Sequence, residues 1–181
     1  MRLVKCDEAG LQDVAAVLNS GGVAVIPTDT VYGLAAHPKF AAAVERLYTI
    51  KARELAKPIA LLASDASAAE SFVAGFPECA KGLVRHWPGA LTIVVKGEGL
   101  RVPDHEWTRR LIAMCGGVLR VTSANLSGRR PATDAPEALR DVGLSADIVA
   151  DDGVSPGGVP STVVKVSQER VEILRQGAVE I

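Results

Sequence analysis

The chain has 181 residues, is 48% hydrophobic but only 4% aromatic, and carries 20 Lys and Arg against 21 Asp and Glu for a net charge of -1. That length suits one domain with a substantial apolar core, and the composition excludes a disordered chain. The balanced charge excludes a global pull toward nucleic acid or anionic lipid, so any anion site must be local.

The first element expected is a helix over Glu8 to Ser20, because Leu11, Val14, Ala15 and Leu18 recur at helical spacing and Gly21-Gly22 supplies the stop. Val23 to Ile26 is a short apolar run ended by Pro27, a strand buried on both faces, with a hydroxyl-rich loop from Thr28 to Gly33 at its carboxyl end. Ala42, Val44, Leu47 and Tyr48 predict a second helix, Ile59 to Ala63 a strand, and Ala66 to Ala74 and Glu78 to His86 two more helices. Leu91 to Val95 reads as a strand, Trp107 to Cys115 as a helix and Val118 to Thr122 as a strand. Strands at Ile148 to Ala150, Thr162 to Val166 and Val171 to Leu174 close the chain. The alternation predicts an α/β (α+β) domain over residues 1–181. The closely spaced C-terminal strands leave no room for helical crossovers, so the sheet should be mixed.

Cys6, Cys79 and Cys115 are odd in number and far apart, which argues against a disulfide framework or a thiolate metal cage and for a reduced cytoplasm. Charged Arg2, Lys5, Asp7 and Glu8 precede any apolar run, and no stretch is long enough to span a bilayer; neither export nor a membrane location is expected. His37, His86 and His105 lack metal-ligand spacing, so no protein metal site is assigned.

No Gly-x-x-x-x-Gly-Lys-Ser/Thr and no Gly-x-Gly-x-x-Gly occurs, which removes the ordinary phosphate loops. Lys51, Arg53 and Lys57 cluster at the end of the second helix, and Pro58 turns the backbone out of helical geometry, so Lys51 and Arg53 could converge on one anion once the chain leaves the helix after Ile50. The alternative is a solvated basic helix end, which the macrodipole favours without any ligand. Ser123 and Asn125 follow directly on an apolar strand, where α/β sheets place ligands, although either side chain could simply cap a turn. Gly157 to Thr162 brings a hydroxyl pair into a strand just after a proline, or is an ordinary Gly/Pro loop.

Taken in order, seven stretches resemble the YrdC-like family, the L-threonylcarbamoyladenylate synthases that begin threonylcarbamoyladenosine (t6A) synthesis in transfer RNA. They are Pro27 to Leu34, Lys51-Ala52-Arg53 with Lys57-Pro58, Trp87 to Thr92, Arg101 to His105, Ser123 to Gly128, Pro160-Ser161-Thr162 and Leu174 to Ala178. The family's Lys-x-Arg and Ser-x-Asn halves are both present, at Lys51 and Arg53 and at Ser123 and Asn125. Ending soon after Arg175, the chain resembles the short, single-domain form.

The resemblance implies an open, twisted mixed sheet with flanking helices and a large concave face. The implied reaction joins L-threonine, bicarbonate and ATP, with magnesium carried on the ATP, to give threonylcarbamoyl-AMP and pyrophosphate. Arg53, Lys57, Ser123, Asn125 and Arg175 are expected to contact ATP, and Thr30, Arg101 and Ser161 to hold threonine or its carbamate. Lys51 and Arg53 are expected to be catalytic, because preorganised cations stabilise charge that develops on phosphoryl oxygens. The implied partner is the threonylcarbamoyltransferase machinery acting on transfer RNA. Two departures stand out: only Lys96 to Leu100 separate Val95 from Arg101, and Leu62 stands where some members place a histidine. The alternatives are a paralogue with another substrate, or an RNA-binding module holding backbone phosphates on its concave face, which the scarcity of aromatics and the balanced charge disfavour.

Overall fold

The computed structural model describes residues 1–167 and 170–181. The strands are β1 (Arg2–Lys5), β2 (Val23–Ile26), β3 (Gly33–Ala36), β4 (Leu61–Ala63), β5 (Leu91–Val95), β6 (Glu98–Arg101), β7 (Val118–Ser123), β8 (Ile148–Asp151), β9 (Thr162–Ser167) and β10 (Arg170–Arg175). The helices are α1 (Glu8–Asn19), α2 (Ala41–Lys51), α3 (Ala66–Phe72), α4 (Glu78–Lys81), α5 (Glu106–Met114) and α6 (Ala135–Asp141).

One ten-stranded sheet runs β1-β8-β2-β3-β7-β4-β6-β5-β9-β10. It is mixed, as the short C-terminal connections required: β8 is parallel to β1 and β2, β4 to β6 and β5 to β9, while β2–β3, β3–β7, β4–β7, β5–β6 and β9–β10 are antiparallel.

Strand alternation distributes three apolar clusters over two faces. On one face Ala24 and Ile26 of β2 and Leu62 of β4 pack with Leu11 and Val14 of α1 and Leu111 and Ile112 of α5. On the other, Val23 and Val25 meet Ala43 and Leu47 of α2 and Ala135 and Ala138 of α6. Farther along that second face, Leu61, Ile93 and Leu100 meet Ala69 of α3 and Ala80 of α4. α1 and α5 cover the first face over one half of the sheet. Beyond them Thr92 and Val94 of β5, Gly99 of β6 and Val163 of β9 look into an open cavity.

The helices start where the sequence supplies a cap. Asp7, Asp65 and Asp134 accept from Gly10, Ala68 and Glu137 amides ahead of α1, α3 and α6, each cap worth about 1 kcal/mol. α1 stops before Gly21, whose φ of 86° lies in the left-handed region.

Four elements were not read from the sequence. β1 is a charged Arg-Leu-Val-Lys edge that becomes a strand by parallel pairing with β8. β3, Gly-Leu-Ala-Ala, has little strand propensity and is held by β2 and β7 on either side. β6 turns back from β5 across Lys96-Gly97, both at positive φ (52° and 86°), so the short spacing before Arg101 is a tight hairpin. α6 is a single capped run with proline in its first turn. The helix expected over Glu78 to His86 divides into α4 and a short 3₁₀ turn at Val84–His86. No helix among the described residues is long and apolar enough to cross a membrane.

Candidate active site

The cavity, of about 400 Å³, lies over the uncovered half of the first face. Thr30, Arg53, Arg101, Ser123, Ser161 and Arg175 all line it, so six side chains read from separate stretches of sequence meet around one space. Thr92 and Leu62 line it as well. No carboxylate belongs to its lining among the described residues.

One wall is the loop between β2 and β3. The Thr28 hydroxyl donates to the Val31 carbonyl at 2.7 Å and accepts from the Thr30 amide at 3.1 Å, closing a tight turn. Thr28 and Thr30 hydroxyls lie 3.0 Å apart. Arg101 arrives from the end of β6 and donates through Nη1 to Thr30 Oγ1 (2.9 Å), through Nη2 to Asp29 Oδ1 (2.5 Å) and through Nε to the Gly89 carbonyl (2.9 Å). The Arg101–Asp29 pair is almost wholly enclosed, with side-chain exposures of 7% and 12%. Burial lowers the Arg101 pKa while adjacent Asp29 raises it, and a guanidinium stays charged throughout.

A strap from Gly153 to Pro160 lies against that wall. Gly157 and Gly158 amides donate to the Asp29 and Thr30 carbonyls at 3.1 and 2.8 Å. A Cβ on Gly157 would stand 2.5 Å from the Asp29 carbonyl oxygen, so only glycine permits the approach. The strap's first end is tied by Tyr32, whose hydroxyl accepts from the Asp152 amide and donates to the Gly153 carbonyl. Its other end leads into Ser161, whose hydroxyl sits 2.8 Å from that of Thr92. Arg175 donates through Nη2 and Nε to the Ser161 carbonyl at 2.7 and 3.2 Å. Partial burial lowers the Arg175 pKa.

The basic cluster separates. α2 continues one residue farther than expected, through Lys51, and Ala52 adopts a left-handed conformation (φ 48°) that sends the chain out of the helix. Arg53 therefore emerges on the cavity side, braced by its own donations to the Lys57 and Pro58 carbonyls. Lys51 points inward and is 2% exposed. Its ammonium donates to the carbonyls of Ser123 and Asn125 and to Asn125 Oδ1, and does not join the cavity lining. Burial pushes the Lys51 pKa down to about 8, the Arg53 charge adding to the effect and Asp141 opposing it. Asn125 donates from its amide to the Leu126 and Arg129 carbonyls, so it shapes the turn after β7 while Ser123 faces the cavity. Lys57 is exposed and pairs with Glu54 at 3.1 Å, outside the lining.

Sequence reasoning passed over Asp29, Thr92 and Tyr32. Thr92 could have been found as the polar interruption of the apolar run Leu91 to Val95. The partners of Asp29 and the Tyr32 hydroxyl lie 72 and about 120 residues away in sequence, and no local signal announces them.

Residues 16–177 match the Sua5/yciO/yrdC family model, described as telomere recombination. The chain is 32% identical over 185 residues to the threonylcarbamoyl-AMP synthase of Bacillus subtilis, covering 93% of this chain and 54% of that protein. It thus spans about half the length of that relative. It is 32% identical over 169 residues to the threonylcarbamoyl-AMP synthase of Chromohalobacter salexigens, covering 84% of this chain and 90% of that one. The crystal structure of P. abyssi Sua5 complexed with L-threonine superposes with a TM-score of 0.92 at 27% identity, covering 98% of this chain and 58% of that one.

Proposed function

Because the chain belongs to the Sua5/yciO/yrdC family, we propose that it forms L-threonylcarbamoyl-AMP and pyrophosphate from L-threonine, bicarbonate and ATP. The observation that carries the reading is the meeting of Arg53, Ser123 and Arg175 with Thr30, Arg101 and Ser161 around one cavity whose lining, among the described residues, holds cations and hydroxyls but no carboxylate. Such a lining suits two anions, a triphosphate and an amino-acid carboxylate. The relatives named threonylcarbamoyl-AMP synthase and the threonine-bound neighbour support the same substrates.

In this reading the threonine amine condenses with bicarbonate, releasing water, and a carbamate oxygen then displaces pyrophosphate from the α-phosphorus of ATP. Negative charge spreads over the phosphoryl oxygens and the leaving pyrophosphate, where fixed guanidinium groups are most effective. Arg53 and Arg175 supply that charge, and Ser123 hydrogen-bonds a phosphate oxygen. Lys51 and Asn125 act through the backbone: the ammonium gathers the carbonyls beyond β7 and so fixes where Ser123 points. Lys57 steadies the loop that presents Arg53. Magnesium enters on the ATP phosphates, since the lining offers it no protein carboxylate among the described residues. The mixed anhydride formed is labile in water, so the next step is acyl transfer by a threonylcarbamoyltransferase to adenosine in transfer RNA.

The test is product analysis by mass spectrometry with threonine, bicarbonate and Mg-ATP, alongside pyrophosphate release. Threonylcarbamoyl-AMP appearing only when all three substrates are present is the expected result. Pyrophosphate release independent of the amino acid would overturn the reading.

A further inference from the structure

Arg175 ends the edge strand of the sheet, and the pairing of that strand is interrupted just before it. β10 pairs with β9 in register from Arg170↔Ser167 to Ile173↔Val164, but the register shifts before Arg175, which falls opposite Val163 and leaves Leu174 out of the pairing. This bulge re-aims the strand end: Leu174 and Arg175, neighbours that would point to opposite faces in a regular strand, both line the cavity. A ladder broken at that point does not by itself fix Arg175.

A hydroxyl on the neighbouring strand does. Thr162 opens β9, is 0% exposed and does not belong to the cavity lining. Its Oγ1 donates to the Val179 carbonyl at 2.6 Å and accepts from the Gly177 and Val179 amides at 2.9 and 3.1 Å. Carbonyls only accept and amides only donate, so the directions are set, and the proton and both lone pairs of this hydroxyl are engaged by the turn that follows Arg175. The Ala178 amide adds a bond to the Pro160 carbonyl at 3.2 Å, and the Thr162 amide donates to the Ala90 carbonyl at 3.0 Å. The chain just after Arg175 is thus pinned to the chain around Ser161, and the Arg175 guanidinium reaches back to the Ser161 carbonyl.

We infer that Thr162 is a positioning residue that fixes the Arg175 guanidinium against Ser161, so that one enclosed hydroxyl, remote from any ligand, sets where this cation stands in the cavity. The inference rests on the proposed function, in which Arg175 supplies charge to the phosphoryl group, and adds the residue on which the placement of that charge depends. Electrostatic stabilisation requires donors already aimed at the place where charge develops, and a misplacement of about 1 Å can cost on the order of 10²-fold in rate. Without the Thr162 hydroxyl nothing equivalent holds the strand end beyond the bulge.

The experiment measures kcat and KM for Mg-ATP in pyrophosphate release, with calorimetric binding of Mg-ATP, for the wild type, Thr162→Val, Thr162→Ser, Arg175→Ala and the double variant Thr162→Val/Arg175→Ala. Valine keeps the shape and removes the hydroxyl, while serine restores it. The expected result is a fall in kcat/KM on the order of tenfold in Thr162→Val, with Thr162→Ser within about twofold of wild type. Added to Arg175→Ala, Thr162→Val should change kcat/KM by less than about twofold, because the two residues act through one contact. A merely structural role would lower activity equally in both backgrounds. Unchanged kcat/KM in Thr162→Val, a serine variant as impaired as the valine one, or a second tenfold fall in the Arg175→Ala background each overturns the inference. A wild type that binds Mg-ATP but releases no pyrophosphate overturns the parent reading alone, and the same comparison is then decided on Mg-ATP affinity. One that does neither overturns both. Should Thr162→Val fail to fold, Gly177→Ala takes its place in the cycle, since its methyl would stand 2.3 Å from the Pro160 carbonyl oxygen and displace the same turn.

Discussion

Replacing Lys51 by methionine separates a positioning role from a direct one. The variant keeps the aliphatic stem in its enclosed slot and removes the ammonium, leaving the Ser123 and Asn125 carbonyls and Asn125 Oδ1 without their donor. Each buried acceptor so orphaned costs about 1–3 kcal/mol. Against this, a lysine held at about 8 instead of its ordinary 10.5 bears a burial cost of about 3 kcal/mol at neutral pH, which methionine escapes. The net expectation at pH 7 is a variant less stable by about 2 kcal/mol, melting roughly 4–8 °C lower for a chain of this size. The difference depends on pH. Because the folded pKa lies below the unfolded one, the unfolded chain binds more protons between about 8 and 10.5, and wild-type stability climbs with pH across that window relative to the variant. Urea unfolding followed by circular dichroism at pH 7 and 9.5 measures both quantities. A stability gap that does not widen at the higher pH, or a variant as stable as wild type at pH 7, would refute the buried-ammonium account.

Arg53→Ala should behave oppositely, losing on the order of 10²-fold in kcat/KM for pyrophosphate release while its melting temperature hardly changes, because its hydrogen-bond partners among the described residues are two carbonyls of its own exposed loop. A large drop in melting temperature would show it to be structural. Gly157→Ala should lift the strap from the β2–β3 loop, since the added methyl meets the Asp29 carbonyl at 2.5 Å, and cost about 1–3 kcal/mol of stability by overpacking. Calorimetric unfolding and the threonine KM check this, and a variant with both unchanged would mean the strap does not hold that wall.

The strand most plainly legible in the sequence was Val23 to Ile26, buried on both faces, because an unbroken apolar run carries its own signal. β3 was illegible because glycine and alanine have no strand preference; its conformation is imposed by two neighbours, one of which lies far along the chain. The site divides similarly. Thr30, Arg53, Arg101, Ser123, Ser161 and Arg175 reach the cavity, whereas Lys51, Lys57 and Asn125 do not. For Lys51 and Arg53 the outcome turns on a single left-handed alanine, which places side chains two residues apart on different sides of the loop. Residue type supplied the chemistry, and one backbone dihedral decided which cation was available.

This availability explains how a chain of net charge -1 can present an electropositive cavity. Asp29 pairs with Arg101 from outside the lining and takes one of its N–H bonds, while two others have no partner among the described residues. Lys51, a formal cation in the same region, has all three protons engaged by protein oxygens and contributes little that an anion could claim. Charge counted along the sequence therefore misjudges the site in both directions, since an anion gains most from cations that still have N–H bonds to offer it. The guanidinium groups of Arg53, Arg101 and Arg175 in the lining are what give the cavity its sign.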